Sequence, residues 1–166
     1  HDQLYSIFNF KKPKYAHLGL VMKIDESGVR RKLSKRKDKE ASVEYYHKEG
    51  IPKEAVKLYL MKIANSNFEE WLDNNPDKDL SEFKFDFKKI SASGTLFDVN
   101  KLFNISKNYL SRLKATEIYN NLLTYTKEFD QEFYNILKNN KEYATSIFNI
   151  ERESIKPRKD YMSYSD

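Results

Sequence analysis

Lys32-Leu33-Ser34-Lys35-Arg36 places two lysines around a hydroxyl at a spacing of three. The pentapeptide sits in a run where seven of ten residues, Arg30, Arg31, Lys32, Lys35, Arg36, Lys37 and Lys39, are basic. With its one acid, Asp38, the run carries +6, while the whole 166-residue chain carries only +5. The basicity is therefore one local site and not a general coating, and a local cluster of this kind usually faces phosphate. In a loop, both ammonium groups and the Ser34 hydroxyl can converge on one polyphosphate. Lysine is a mobile point charge, suited to a phosphate whose charge moves during reaction. By composition alone, however, a basic loop is more often a solvated or RNA-facing surface than a catalytic element.

The flanking elements must present this loop. Leu18 to Ile24 is an apolar run, Asp25-Glu26-Ser27-Gly28 is a turn signal, and Val29 to Leu33 returns as a short strand. After the loop, Asp38 is placed to cap a helix that ends with Gly50 as its C′ residue, with Val43 and Tyr46 facing inward. Pro52 suits the first turn of the next helix, in which Ala55, Val56, Tyr59, Leu60 and Ile63 recur at helical spacing. Asn67 caps a short helix carrying Phe68, Trp71 and Leu72, which Asn74-Asn75-Pro76-Asp77 ends. The alternation FKFDFKKI over 83–90 predicts a strand, and Ser91 to Gly94 a bend.

From there on the pattern is helical. Asp98 caps Val99 to Phe103, Ser106 caps a helix holding Tyr109, Leu110 and Leu113, and Thr116 caps a long helix. That helix has Ile118, Leu122, Tyr125, Phe129, Phe133 and Ile136 as its apolar stripe. Asn139-Asn140 breaks it, and Tyr143, Ile147 and Ile150 continue a last helix before a polar tail from Lys156. Residues 2–9 read as a helix remnant ahead of a break around Pro13. The expected fold is mainly α with a few short strands: a mixed α/β segment, then a helical bundle segment, with a soft boundary near 103–106.

Composition narrows the function classes. Twelve Tyr, 11 Phe and one Trp can build a core, which a disordered chain lacks. Four Gly and four Pro favour helices over a turn-rich β fold. No Cys removes disulfides, thiolate metal sites and a Cys nucleophile. Three well-separated His give no zinc spacing, so no metal site is expected. No stretch approaches the roughly 18 apolar residues of a membrane span, and the expected setting is the cytoplasm, as a monomer. The first residue is His1 and "HDQLYSIF" reads as the middle of a helix, as expected of a piece of something longer.

Residues 12–60 resemble the C-terminal part of the catalytic half of glutamyl-tRNA synthetases, class I enzymes of the glutamate and glutamine subgroup. Lys32-Leu33-Ser34-Lys35-Arg36 looks like that family's form of the mobile "KMSKS" signature. Tyr15-Ala16-His17-Leu18 is similar to the segment leading into it. Ser42-Val43-Glu44-Tyr45-Tyr46, Glu49-Gly50-Ile51-Pro52 and Glu54-Ala55 resemble the helices that follow. Leu96-Phe97-Asp98 with Lys101-Leu102 looks like a motif of the stem-contact region, and Lys156-Pro157-Arg158-Lys159-Asp160 resembles a segment of the helical domain beyond. The resemblance divides the chain into the end of the catalytic domain (1–37), a stem-contact-type domain (38–104) and the start of a helical anticodon-binding domain (105–166).

The resemblance implies that Lys32, Leu33, Ser34, Lys35 and Arg36 bind ATP, with Lys35 the catalytic residue that stabilises charge as pyrophosphate leaves. It implies ATP with magnesium as cosubstrate, and glutamate and tRNA as partners. Lys37, Lys156, Arg158 and Lys159 are candidate tRNA contacts. Only 31 residues precede Lys32, and they hold no "HIGH" motif; His17-Leu18-Gly19-Leu20 is no substitute. The chain is thus expected to be catalytically incompetent alone. Competing readings are a stand-alone helical RNA-binding module, a glutaminyl-tRNA synthetase fragment and a purely structural helical domain. Among other residues, His17 is expected as a packed strand residue, His47 as exposed, and Trp71 as core.

Overall fold

The structure is a computed structural model describing residues 1–76, 78–90, 93–152 and 154–166. It is mainly α with one small sheet. α1 (Asp2–Ile7) precedes a hairpin of β1 (Val21–Ile24) and β2 (Arg30–Lys32). The two strands pair antiparallel with Met22 opposite Lys32 and Ile24 opposite Arg30. The turn forms because the Asp25 carboxylate accepts the N–H groups of Ser27 and Val29, each at 3.0 Å, and Gly28 takes φ +80°. The third strand is β3 (Thr95–Leu96), parallel to β1, giving the order β2-β1-β3.

A turn over Lys39–Ala41 leads to α2 (Val43–Lys48) and α3 (Lys53–Ala64). Gly50 ends α2 at φ +66°, as the sequence suggested. Val43 does not face inward: at the first position of α2 it is 83% exposed, while Tyr46, one turn on, packs on the core. On α3, Ala55 and Tyr59 are buried but Leu60 is exposed. α4 (Phe68–Asn74) follows. Asn67 makes no side-chain cap; the side-chain amide oxygen of buried Asn65 accepts the Asn67 N–H at 3.3 Å. Asn74 to Pro76 end this helix, and Asp77 lies outside the described residues.

Residues 83–90 are not a strand. Phe83, Phe85 and Phe87 do form a ladder of edge-on ring contacts that continues onto Phe68 and Trp71. Yet among the described residues no strand pairs with it. The backbone carbonyls of Asp86 and Lys89 instead accept from the Asn65 amide at 2.8 Å and the Ser66 N–H at 3.2 Å, and the segment closes as a tight turn over Phe87–Lys89. The alternation is real, but it serves aromatic packing. Of the bend expected at Ser91 to Gly94, Ser91 and Ala92 lie outside the described residues.

α5 (Val99–Arg112) is one helix capped by Asp98, whose carboxylate accepts the Lys101 N–H at 3.1 Å. It runs through the position where the composition shifts. Ser106 does not start a new helix: it is fully buried in mid-helix, and its hydroxyl donates to the Met162 carbonyl. α6 (Ala115–Phe129) begins after Lys114, so Thr116 lies inside its first turn. The long stripe read through Ile136 is two helices. Asp130 ends α6 and caps α7 (Gln131–Asn139) by accepting the Phe133 N–H at 2.9 Å, leaving Phe133 and Ile136 exposed and Leu137 buried. α8 (Lys141–Phe148) buries Ala144, not Tyr143, Ile147 or Ile150.

Two clusters form the core. α3 packs on α5 through Ile51, Ala55, Tyr59 and Leu102. Tyr119, Leu122, Leu137 and Ala144 join α6, α7 and α8. Burying each large side chain contributes about 1.5–3 kcal/mol. The polar tail is not loose. The Tyr164 N–H donates to the Gly50 carbonyl at 2.8 Å, the Ser165 hydroxyl to the Glu49 carbonyl at 2.9 Å, and Tyr164 packs on the second cluster. Arg152 secures the approach: its guanidinium donates to the carbonyls of Leu110, Leu113 and Phe148 at 2.7, 3.0 and 2.6 Å. No described helix is long and apolar enough to cross a membrane.

Candidate functional site: the basic loop

The loop leaves the sheet at Lys32, the last residue of β2. The Leu33 N–H still donates to the Val21 carbonyl at 2.9 Å, which fixes the point of departure. The chain then turns on Ser34, whose carbonyl accepts the N–H groups of Lys37 and Asp38 at 3.1 and 2.8 Å. The Ser34 hydroxyl faces the Arg36 N–H at 3.4 Å. Lys32, Lys35, Arg36 and Lys37 are all exposed, and none makes an ion pair within 4 Å among the described residues.

The other three basic residues of the run are engaged. The Arg31 guanidinium grips the Asp38 carboxylate through two bonds of 2.7 Å. Arg30 donates to the Gly94 carbonyl, and Lys39 lies over the Tyr45 ring at 4.9 Å. The +6 of the sequence therefore resolves into three anchored cations and four, flanking Ser34 along the turn, that have no ion pair among the described residues.

Asp38 is not a helix cap. Its side chain is 2% exposed and accepts the Ser34 N–H at 2.8 Å besides the two Arg31 bonds. Those partners, Arg31 first, hold its carboxyl well below the usual carboxylate range. Lys23 on β1 lies 3.5 Å from Asp38 and 3.1 Å from Glu40. Its bond to Glu40 raises the lysine above its ordinary value. An alternating cluster of Arg31, Asp38, Lys23 and Glu40 thus underlies the loop. Spacing could have suggested it: Arg31 and Asp38 bracket the pentapeptide, but a lone acid before a helix reads first as a cap.

The second basic group lies on the tail. Arg158 pairs with Asp160 at 2.7 Å and Lys159 donates to Asn108, while Lys156 is exposed and has no ion pair among the described residues. His17 is exposed ahead of β1 and not packed in a strand. The reason is that pairing starts only at Val21. His47 is exposed and lies 3.5 Å from Glu128. Trp71 stacks on buried Phe68. Among the described residues, no group of three or more His, Asp or Glu could hold a metal ion.

No family model matches the chain. Glutamate–tRNA ligase of Clostridium beijerinckii is 44% identical over 166 residues, 100% of this chain and 30% of that protein. That of Acetivibrio thermocellus is 47% identical over 160 residues, 96% of this chain and 29% of that protein. The chain belongs to the glutamate–tRNA ligase family. A third such ligase, from Clostridium perfringens, is 40% identical over 166 residues. The chain spans about 30% of the length of these ligases, and the match runs through the basic loop and on to the docked tail. The resemblance to the family read from the sequence is thus borne out along the whole chain.

Proposed function

We propose that this chain works within a longer glutamate–tRNA ligase, which joins glutamate to tRNA at the expense of ATP, and that 32–36 is its ATP-phosphate loop. The supporting observation is four exposed cations, without an ion pair among the described residues, that flank Ser34 along a turn whose two roots are tied by Arg31 and Asp38. In the activation step a glutamate carboxylate oxygen bonds to the α-phosphorus, the α–β bridging bond breaks, and its electron pair leaves on pyrophosphate. Lys32 and Lys35 neutralise that departing charge, and Ser34 offers its hydroxyl to a phosphate oxygen. Cations and one hydroxyl make a donor set for phosphate oxygens and not for a divalent metal, so magnesium would arrive with ATP. Leu33 positions the turn through its backbone, and Arg36 joins the phosphate set.

On this reading residues 1–37 close the catalytic domain, 38–104 form the stem-contact-type region and 105–166 open the helical region. The tRNA backbone would meet Lys37 and Lys156, since Arg158 and Lys159 already have partners. The setting is the cytoplasm and the working form a monomer.

The test is ATP–pyrophosphate exchange with glutamate. The 166-residue chain alone should show none. In the full-length ligase carrying it, Lys35→Ala should lower kcat on the order of 10²-fold, as loss of one transition-state charge partner does, with tRNA affinity little changed. Unchanged exchange, together with weaker RNA binding and a shallower salt dependence, would make the loop an RNA-backbone contact instead.

A further inference from the structure

We infer that Arg31 and Asp38 are positioning residues for Lys35: their ion pair, closed onto the Ser34 N–H, sets the shape of the loop that presents the lysine. This rests on the ATP reading of the loop. The pair joins the loop's two roots. Arg31 belongs to β2 and Asp38 begins the turn into α2, so their two 2.7 Å bonds tie the end of the hairpin to the start of the helical part. Between those roots, the carboxylate also draws in the Ser34 N–H, while the Ser34 carbonyl receives the Lys37 and Asp38 N–H groups. The crown of the turn, where Lys35 sits, therefore has its backbone fixed by hydrogen bonds that all converge on Ser34 and Asp38.

Three further facts separate this from an ordinary surface pair. The Asp38 side chain is almost wholly enclosed, and Arg31 is largely so, with 28% of its side chain exposed. Arg31 also lies 3.8 Å from Asp25, the residue that builds the hairpin turn, so turn and loop share one cation. Lys23 and Glu40 complete the cluster from β1 and from the turn after the loop. The internal charges offset one another, which leaves the outward cations as the loop's net charge. A guanidinium is required because only its planar fork delivers two parallel bonds to one carboxylate.

The experiment is a double-mutant cycle in the full-length ligase, read by ATP–pyrophosphate exchange. Asp38→Asn keeps the shape but removes the charge that Arg31 holds. It should lower kcat on the order of 10–100-fold, the cost of misplacing a reacting group by about 1 Å, with the KM for glutamate within about twofold. Adding Lys35→Ala should cost no more than Lys35→Ala alone, since both remove the same contribution. A merely structural pair would lower the melting temperature but give losses that multiply. Wild-type kcat in Asp38→Asn, or multiplying losses, would overturn the inference while leaving the ATP reading intact. Exchange indifferent to Lys35→Ala would overturn both. Should Asp38→Asn fail to fold by circular dichroism, Arg31→Lys, which keeps a cation but loses the fork, is read by the same criteria.

Discussion

Gly50→Ala is a sharp test of how the tail is held. Gly50 has φ +66°, a left-handed conformation that an alanine adopts at a cost of about 1–2 kcal/mol. A Cβ there would also lie 2.7 Å from the Ser165 nitrogen and 2.9 Å from the Tyr164 nitrogen. Both are backbone atoms and cannot swing aside as a side-chain tip can. Forcing the tail away adds roughly 1–3 kcal/mol, the usual cost of overpacking. The total is about 2–5 kcal/mol. Gly28→Ala is the matched control: φ is +80°, but a Cβ would meet nothing within 4 Å, so only the conformational cost of about 1–2 kcal/mol applies. Urea denaturation of the two variants beside the wild type gives the difference directly. Amide hydrogen exchange adds a local reading, because the Tyr164 N–H should lose its protection in Gly50→Ala and keep it in Gly28→Ala. Equal destabilisation of the two, within about 0.5 kcal/mol, or a Tyr164 amide still protected in Gly50→Ala, would refute the argument.

Arg152→Ala should destabilise the chain by about 2–4 kcal/mol, since it strips charged donors from the carbonyls of Leu110, Leu113 and Phe148; a lysine there should rescue little, and thermal unfolding would show both. Alkaline titration followed by tyrosine absorbance should find a lagging class. Burial pushes Tyr46 and Tyr109 up to about 12. A folded value above the unfolded one stabilises below the unfolded value of about 10, so the stability they contribute declines as pH rises past it toward 12. Full tyrosinate absorbance at pH 11 in a chain still folded by circular dichroism would contradict this.

The parts legible in the sequence were those whose signal is local. Asp25 to Gly28 specify their turn within five residues, Asp98 caps through a residue three positions on, and Asn139-Asn140 ends a helix where it stands. What could not be read depends on distant partners. Ser106 looks like a cap until Met162, 56 residues later, takes its hydroxyl. The alternation of 83–90 promises a strand, but the backbone is claimed by Asn65 and Ser66. One miss is local: Asp130 caps through Phe133, three positions on, but Phe129 and Phe133 keep the helical period across it, so periodicity hides the break. At the loop the same division holds. The cations were plain from their number, whereas the joining of Arg31 to Asp38 needed the hairpin to bring the roots together.

The docked tail also sets a timetable. Ser165 reaches Glu49 across 116 residues, so the α2–α3 corner is made long before its cover exists. At about 5–20 residues per second of synthesis, the corner waits roughly 6–23 s for the tail. Such a distant closure is slow to form because its loop entropy must be met before any contact rewards it. During that interval the Gly50 carbonyl lacks the Tyr164 N–H, and Tyr125, once made, lacks the neighbouring Tyr164 ring, 6.3 Å away in the finished fold. The basic loop, by contrast, closes between Arg31 and Asp38, seven residues apart. The charge-presenting loop is therefore ready before the segment that locks the helices together.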